Sequence, residues 1–119
     1  MEELFINAAE ALFDISISPK RPTLPAIGVP IAVDAPSVDR LFVHWLQELL
    51  FVFETRRLVL TKFWIDEIDE THVVGSAKGT KFDSSRHAQK LDIKAVTYHQ
   101  LEVVRGDDGM WRARVIFDV

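Results

Sequence analysis

Cysteine is absent from this chain of 119 residues. Its absence excludes disulfides, thiolate catalysis and cysteine-ligated zinc, so any metal must bind to oxygen or imidazole. Proline is confined to one segment, since all five prolines lie between Pro19 and Pro36. We interpret this segment as a crossing loop inside one domain, because each flank alone is too short to form a stable core.

A membrane span, a secretory signal and an excess of positive charge are also lacking. No apolar run is long enough to cross a bilayer, and the start Met1-Glu2-Glu3 has no basic residue. We therefore expect no membrane association and a cytoplasmic location. The net charge of -4 argues against strong direct binding of nucleic acid, which depends on neutralising phosphates. Any role in RNA chemistry is expected to run through a partner.

The chain does contain two amphipathic helical segments. With 48% hydrophobic and 27% charged residues, it suits a single domain over residues 1-119. Apolar residues recur at helical spacing over residues 3-15 and again from Val38 to Phe53. The second segment is apolar almost all round, which predicts the central helix of the fold, capped by Asp34 or Ser37.

The second half of the chain is rich in strand-forming residues. Before it, the stretch from Ile27 to Val33 predicts an edge strand, because Pro30 cannot donate a hydrogen bond to a ladder. Two helices followed by hairpin-linked strands predict an α+β fold, with the helices packed on an antiparallel β-sheet. The predicted later strands are Leu58 to Ile65, His72 to Phe82, Leu91 to Val104 and Met110 to Val119.

Apolar alternation predicts how the last two strands pair. A slip of one residue would turn every core side chain into water, so the apolar faces fix the register. The pairing needs an odd-length loop through Gly106 and Asp108 with a positive-φ residue. The predicted pairs are Val103 with Trp111, Glu102 with Arg112, Leu101 with Ala113 and Val96 with Asp118.

This register predicts a polar tip at the end of the hairpin. Lys94 and Asp118 project from the same face as near neighbours, beside the carboxylate of Val119. An ordinary exposed salt bridge, worth ~0 to 1 kcal/mol, remains the alternative. His99 is expected on the opposite face beside Val115, as a core histidine.

Four other polar clusters have simpler interpretations. The acidic run from Asp66 to Glu70 predicts a solvated turn, because it lacks the spacing of a calcium loop. His44 and Glu48 stand one helical turn apart without a third ligand, which favours a surface hydrogen bond. The small residues from Gly75 to Thr80 indicate a strand and not a phosphate loop. Within Ser84 to His87, the arginine and histidine could contact an anion or a partner.

Several motifs, taken in order, resemble the archease family over nearly the whole chain. They are Glu3-Leu-Phe-Ile-Asn-Ala-Ala-Glu-Ala-Leu-Phe13, Trp45-Leu-Gln-Glu-Leu-Leu50, Arg86-His87, Asp92-Ile-Lys94-Ala-Val-Thr-Tyr98-His99 and Phe117-Asp118-Val119. The Lys-Ala-Val-Thr-Tyr-His block and an ending in Asp and one aliphatic residue are the most specific of these.

The resemblance implies a function in tRNA splicing without an enzymatic activity of the chain's own. Archeases are accessory proteins that promote guanylylation and turnover of an RtcB-type tRNA-splicing ligase. The resemblance implies calcium as cofactor, with Asp118 and the Val119 carboxylate as metal ligands. It also makes Lys94 a functional residue.

One departure from the family concerns the first strand. Archeases begin with a strand bearing an aspartate that ligates the metal, and this chain starts directly at the first helix. We therefore expect an archease-like fold with the N-terminal strand apparently missing, an exposed sheet edge and weakened metal affinity.

Two other classes of function remain open. The first is a metal-independent chaperone or interaction module for an RNA-modifying enzyme such as a tRNA methyltransferase. The second is a metal-dependent hydrolase, which is disfavoured because no general base except His99 stands near the carboxylates.

Overall fold

The predicted α+β fold class is confirmed in a computed structural model that describes residues 1-20 and 24-119. Within those ranges the strands form three antiparallel ladders and not one continuous sheet, with orders β2-β4-β3, β1-β5 and β6-β7. Residues 21-23 of the predicted crossing loop lie outside the described residues. The elements are α1 Glu2–Ser16, β1 Ile17–Pro19, β2 Ile27–Asp34, α2 Val38–Arg56, β3 Leu58–Ile68, β4 His72–Lys81, β5 His87–Gln89, β6 Ala95–Arg105 and β7 Trp111–Asp118.

Helix α1 forms where the sequence predicts it. Glu2 and Glu3 lie in its first turn, where the helix dipole favours anions. The helix ends because Ile17 adopts extended backbone angles, φ -127° and ψ 133°. After the helix, β1 pairs with β5. These two short strands were not predicted from the sequence. The buried face of α1 consists of Phe5, Ala9, Leu12, Phe13 and Ser16.

Helix α2 is the central element, as predicted. It begins after Ser37, one of the two predicted N-caps, whose hydroxyl donates to the Asp39 carboxylate. Its last residue is Arg56. The C-cap residue Arg57 has a left-handed φ of 53°, and its guanidinium stacks over Phe53 at 4.5 Å. Buried Trp45 donates from its indole nitrogen to the Phe5 carbonyl at 2.9 Å, which ties α2 to α1.

The three-stranded sheet depends on small residues in its central strand. A Cβ at Gly75 would lie 2.1 Å from the Trp64 carbonyl oxygen, and one at Gly79 would lie 2.0 Å from the Val59 oxygen. The segment from Gly75 to Thr80 is therefore strand, as predicted, because only glycine lets β3 approach this closely. Strand β2, with Pro30, lies at the sheet edge as predicted.

Candidate functional site

A wide bulge in β6 determines the shape of the terminal hairpin. Thr97 pairs with Ile116 and Glu102 pairs with Arg114, so β6 advances five residues while β7 advances two. The three extra residues include Gln100, whose φ of 52° is left-handed. The loop that joins β6 to β7 contains Gly109, whose φ of 81° is positive, as predicted for an odd-length turn.

The predicted hairpin register is wrong in two places. On the loop side the pairs are shifted by two residues, because Arg105 already pairs with Trp111 and the loop is shorter than predicted. On the other side of the bulge, the three extra residues of β6 change the register again. Observed partners are Val103 with Ala113, Glu102 with Arg114 and Val96 with Phe117. Leu101 falls within the irregular stretch. The predicted Glu102 and Arg112 pair is also replaced, since Glu102 contacts Arg114 at 3.4 Å.

An odd number of extra residues reverses which face of the strand is buried. Before the bulge the buried residue is Val96, only 3% exposed, which the sequence analysis placed on the polar face. After the bulge, Leu101 and Val103 pack against the core, as predicted. His99 is exposed, so its prediction as a core histidine is wrong. Its amide donates to the Thr97 hydroxyl at 3.3 Å.

Lys94 and Asp118 are neighbours along the backbone, but the prediction that their side chains share a face is wrong. The Lys94 amide donates to the Asp118 carbonyl at 2.7 Å. Asp118 pairs with Ala95 and alternates with Phe117, which packs against the core, so its carboxylate lies on the outer face. Lys94 precedes β6 and lines a cavity with Gln47 and Phe51, on the face that meets α2. Among residues 1-20 and 24-119, Lys94 has no carboxylate within the 4 Å limit of an ion pair.

Lys94 contributes to a cavity between the start of β6 and α2. The cavity measures about 240 Å³, and α2 provides Gln47, Phe51 and Glu54 to its wall. Phe51 is 56% exposed and also lines an adjoining cavity of about 460 Å³ with His44 and Glu48. The exposed Phe51 side chain therefore lines two adjoining cavities, and Lys94 lines one of them.

Two side chains of α2 hold β6 in place. Gln47 donates to the Val96 carbonyl at 3.3 Å. His44 Nδ1 lies 2.7 Å from the Asp34 carbonyl, which only accepts, so this nitrogen carries the proton. The free lone pair on Nε2 then accepts from the Tyr98 hydroxyl at 3.0 Å. The predicted surface role of His44 is confirmed, with Tyr98 as partner and not Glu48.

These contacts between β6 and α2 were not predicted from the sequence. The sequence feature that could have indicated them is the run of polar residues from Thr97 to Gln100, which breaks the apolar alternation of a strand. Such a break indicates a bulge, and a bulge turns a side chain toward a new partner. Here it turns Tyr98 toward α2.

Ion pairs and hydrogen bonds hold the charged side chains on the rest of the hairpin. Arg114 donates from Nε to the Gln100 carbonyl at 3.0 Å, which supports the bulge from β7. At the loop, the Asp108 carboxylate accepts hydrogen bonds from the Met110 amide and from the Arg112 guanidinium. These bonds, the Met110 bond most of all, lower the pKa of Asp108. The far end of the hairpin is thus ordered by local contacts on the surface.

The donor set at the chain end falls short of a calcium site. Asp118 and the Val119 carboxylate are two donor groups, whereas calcium takes ~6 to 8 oxygens. In the described ranges, no group of three His, Asp or Glu side chains converges to hold a metal. The residues present do not fit calcium without further ligands.

The acidic run follows its simpler interpretation, whereas the predicted contact of Arg86 and His87 with an anion or a partner stays a prediction. The run from Asp66 to Glu70 ends β3 in a turn, where His72 lies 2.8 Å from the Asp69 carboxylate. The Thr71 and His72 amides donate to Asp69 and lower its pKa. Arg86 is exposed, 3.9 Å from the Asp83 carboxylate, whereas His87 is buried.

Comparisons with known proteins identify the family. The Archease protein family matches residues 1-119. The chain is 37% identical to protein archease of Methanosarcina barkeri, over 99% of this chain and 82% of that protein. It is 32% identical to protein archease of Pyrococcus furiosus, over 100% of this chain and 85% of that protein. The solution structure of Methanobacterium thermoautotrophicum protein 1598 matches with a TM-score of 0.72 and 34% identity, over 99% of this chain and 84% of that one. The chain belongs to the archease family.

Family membership supports a general role as an accessory protein in RNA ligation and tRNA splicing. Such a role is that of an activator or accessory protein. No helix in the described part of the chain is long and apolar enough to cross a membrane.

Proposed function

We propose that this chain activates an RtcB-type tRNA-splicing ligase by promoting its guanylylation and turnover. The observation that supports the proposal is the anchoring of β6 on α2 through Tyr98 and Gln47. This anchoring holds Lys94 beside the exposed ring of Phe51. The proposal needs no chemistry from the chain itself, only the presentation of a docking surface.

The docking surface is defined here as Lys94, Phe51, Tyr98 and Glu54. Phe51 and Tyr98 are 56% and 49% exposed, and aromatic anchors of this kind contribute most to interface energies. The Lys94 ammonium has no carboxylate partner among the described residues. It can therefore approach a phosphate oxygen as a point charge.

We further propose that Asp118 and the Val119 carboxylate act together at the outer face of the hairpin. In this proposal they donate to a calcium ion whose other oxygens come from groups outside the described residues. Because Lys94 lies on the inner face, the ammonium and the carboxylates contact different parts of the partner. No step of the activation is assigned to the metal.

A multiple-turnover ligation assay with the RtcB-type ligase and guanosine triphosphate tests the proposal. Lys94→Ala should reduce turnover to the level of the ligase alone, because the point charge at the docking surface is lost. Lys90→Ala is the matched control, since Lys90 is also exposed and lies outside the docking surface. Full turnover with Lys94→Ala would overturn the proposal.

The Asp118 proposal has a separate test. Asp118→Asn should lower turnover and abolish any rise in melting temperature with calcium, since a ligand that binds only the native state stabilises it. Asp107→Asn, an exposed carboxylate in the hairpin loop, is the control. Normal turnover and an unchanged calcium response in Asp118→Asn would contradict this role.

A metal-independent module for an RNA-modifying enzyme, such as a tRNA methyltransferase, is the second candidate. The exposed aromatic side chains of the docking surface favour it, because they suit a protein partner without any cation. Activation that persists in a calcium chelator, with binding lost in Phe51→Ala, would support this candidate over the calcium-dependent form.

A further inference from the structure

A separate cavity lies where α1, β1, β3 and β5 meet. It measures about 320 Å³, which reaches the lower end of the volumes typical of small-molecule sites. None of its lining residues belongs to the docking surface or to the hairpin. Its apolar wall is formed by Phe13, Ile17, Val59, Leu60 and Phe63.

A buried histidine contributes to the same wall. His87 is only 4% exposed, and its ring stacks on Phe82 with centroids 5.6 Å apart. The Asp83 amide donates to His87 Nδ1 at 3.1 Å, so in the neutral ring the proton sits on Nε2.

His87 Nε2 has no hydrogen-bond partner among residues 1-20 and 24-119. Thr80 Oγ1 is the one fully enclosed side-chain polar atom without a partner among the described residues. His87 Nε2 is therefore not fully enclosed, and the His87 side chain lines the cavity. Because the rest of the His87 residue is buried, at 4% exposure, few solvent molecules can reach Nε2, which favours an acceptor inside the cavity.

Two carboxylates stand at the rim of the cavity. Glu10 and Asp14 are one turn apart on α1, exposed, and form no ion pair among the described residues. With His87 they do not form a metal site, since no three such side chains converge there. Their charge repels anions and attracts an amine.

We propose that this cavity binds a small flat heteroaromatic molecule that carries an amino group. The apolar wall contacts the ring, and His87 Nε2 donates to a ring nitrogen at the inner end. The amino group donates to Glu10 and Asp14 at the rim. A ligand with a phosphate or a carboxylate at the outer end is rejected by the two rim charges. The inference is independent of the proposed function, because it uses different residues.

Titration of the ¹⁵N-labelled full chain with adenine, purine and hypoxanthine tests this site. Adenine has both the acceptor and the amine, purine lacks the amine, and hypoxanthine places an oxygen where adenine has the amine. Adenine should shift amides around Phe13, Leu60 and His87 and bind about tenfold more tightly than purine, with hypoxanthine weakest. Equal binding of all three, or no shifts at millimolar adenine, would overturn the proposal.

A rim variant provides the internal check. Glu10→Gln combined with Asp14→Asn should weaken adenine about tenfold and leave purine unchanged, because only adenine uses the carboxylates. Both positions are exposed, so the variant should fold. The matched control is Asp66→Asn combined with Glu70→Gln, which removes the same charge elsewhere on the surface. Equal weakening in both double variants would reduce the effect to net charge and refute the assigned rim.

A histidine variant tests the inner end. His87→Phe keeps a ring against Phe82 and removes the Nε2 donor, so adenine and purine should both lose affinity. Unchanged affinity for both probes in a folded His87→Phe protein would contradict the assigned donor. The rim variant decides the proposal by itself where His87→Phe unfolds.

Discussion

Strands β4 and β6 differ in how strongly their surroundings fix the alternation of side chains. Strand β4 is paired on both edges, and Val73, Gly75, Ala77 and Gly79 are buried at every second position. Strand β6 is paired on one edge, and three consecutive exposed residues interrupt its alternation. The difference shows that pairing on both edges and burial of one face preserve the alternation, whereas a strand that is paired on one edge can absorb extra residues.

The largest expected effect sharpens the contrast between central and edge strands. Gly79→Ala in β4 should destabilise the fold by about 1 to 3 kcal/mol or more, because its Cβ would collide with the backbone of β3. Gly28→Ala in edge strand β2 should change stability by less than about 0.5 kcal/mol, since its Cβ approaches only the Lys78 side chain, at 3.9 Å. Urea unfolding measures both. Equal losses would contradict the close approach of β3 and β4.

The next effect tests the reversal of faces in β6. Val96→Ala should cost about 1 to 2 kcal/mol, since Val96 is buried against the core. Val104→Ala, at an exposed position on the far side of the bulge, should cost less than about 0.5 kcal/mol. Chemical denaturation compares them. A negligible loss of stability for Val96→Ala would support the register predicted from the sequence, in which Val96 faces water.

A smaller effect is expected from the contact between β6 and α2. Tyr98→Phe removes the hydroxyl that donates to His44 and should cost about 0.5 to 1.5 kcal/mol. Faster hydrogen exchange should be confined to the bulge, where that contact is lost. His99→Ala serves as control, because His99 is exposed and no side-chain hydrogen bond is seen for it among the described residues. Uniform exchange changes across the fold would contradict a local anchor.

The smallest effect concerns acid stability at the β3 to β4 turn. Hydrogen bonds from the Thr71 and His72 amides lower the Asp69 pKa below its ordinary value of 3.8. This stabilisation is present above pH 3.8 and is lost as the pH falls through the lowered pKa. Asp69→Ala should therefore be less stable than wild type at neutral pH, with the gap closing in acid. Thermal unfolding at neutral and acid pH measures this gap, and a gap that stays constant in acid would contradict the stabilisation.

Helical periodicity and strict alternation allowed much of the fold to be predicted from the sequence. Both helices, the edge position of β2 and the small-residue strand β4 followed from patterns that burial enforces. The hairpin register did not follow. The bulge depends on a left-handed Gln100 and on the Tyr98 contact with α2, neither of which an alternation pattern contains.

The candidate site could be predicted only in part, because an alternation pattern does not contain the bulge. The backbones of Lys94 and Asp118 are adjacent, as the sequence predicted. The predicted pairing of their side chains is wrong because the bulge changes the register between the loop and the tip, so that Ala95 and not Val96 lies opposite Asp118. His87 was identified as a contact residue, but its burial beside a cavity depends on the pairing of β1 with β5, which the sequence pattern did not indicate.

Cross-strand nuclear Overhauser effects between β6 and β7 test the central claim, the reversed face of the hairpin tip, most directly. The account predicts contacts that place Val96 opposite Phe117 and Glu102 opposite Arg114. A continuous ladder, with Val96 opposite Asp118 and Leu101 opposite Ala113, would contradict it. That result would remove the bulge and return Lys94 and Asp118 to one face.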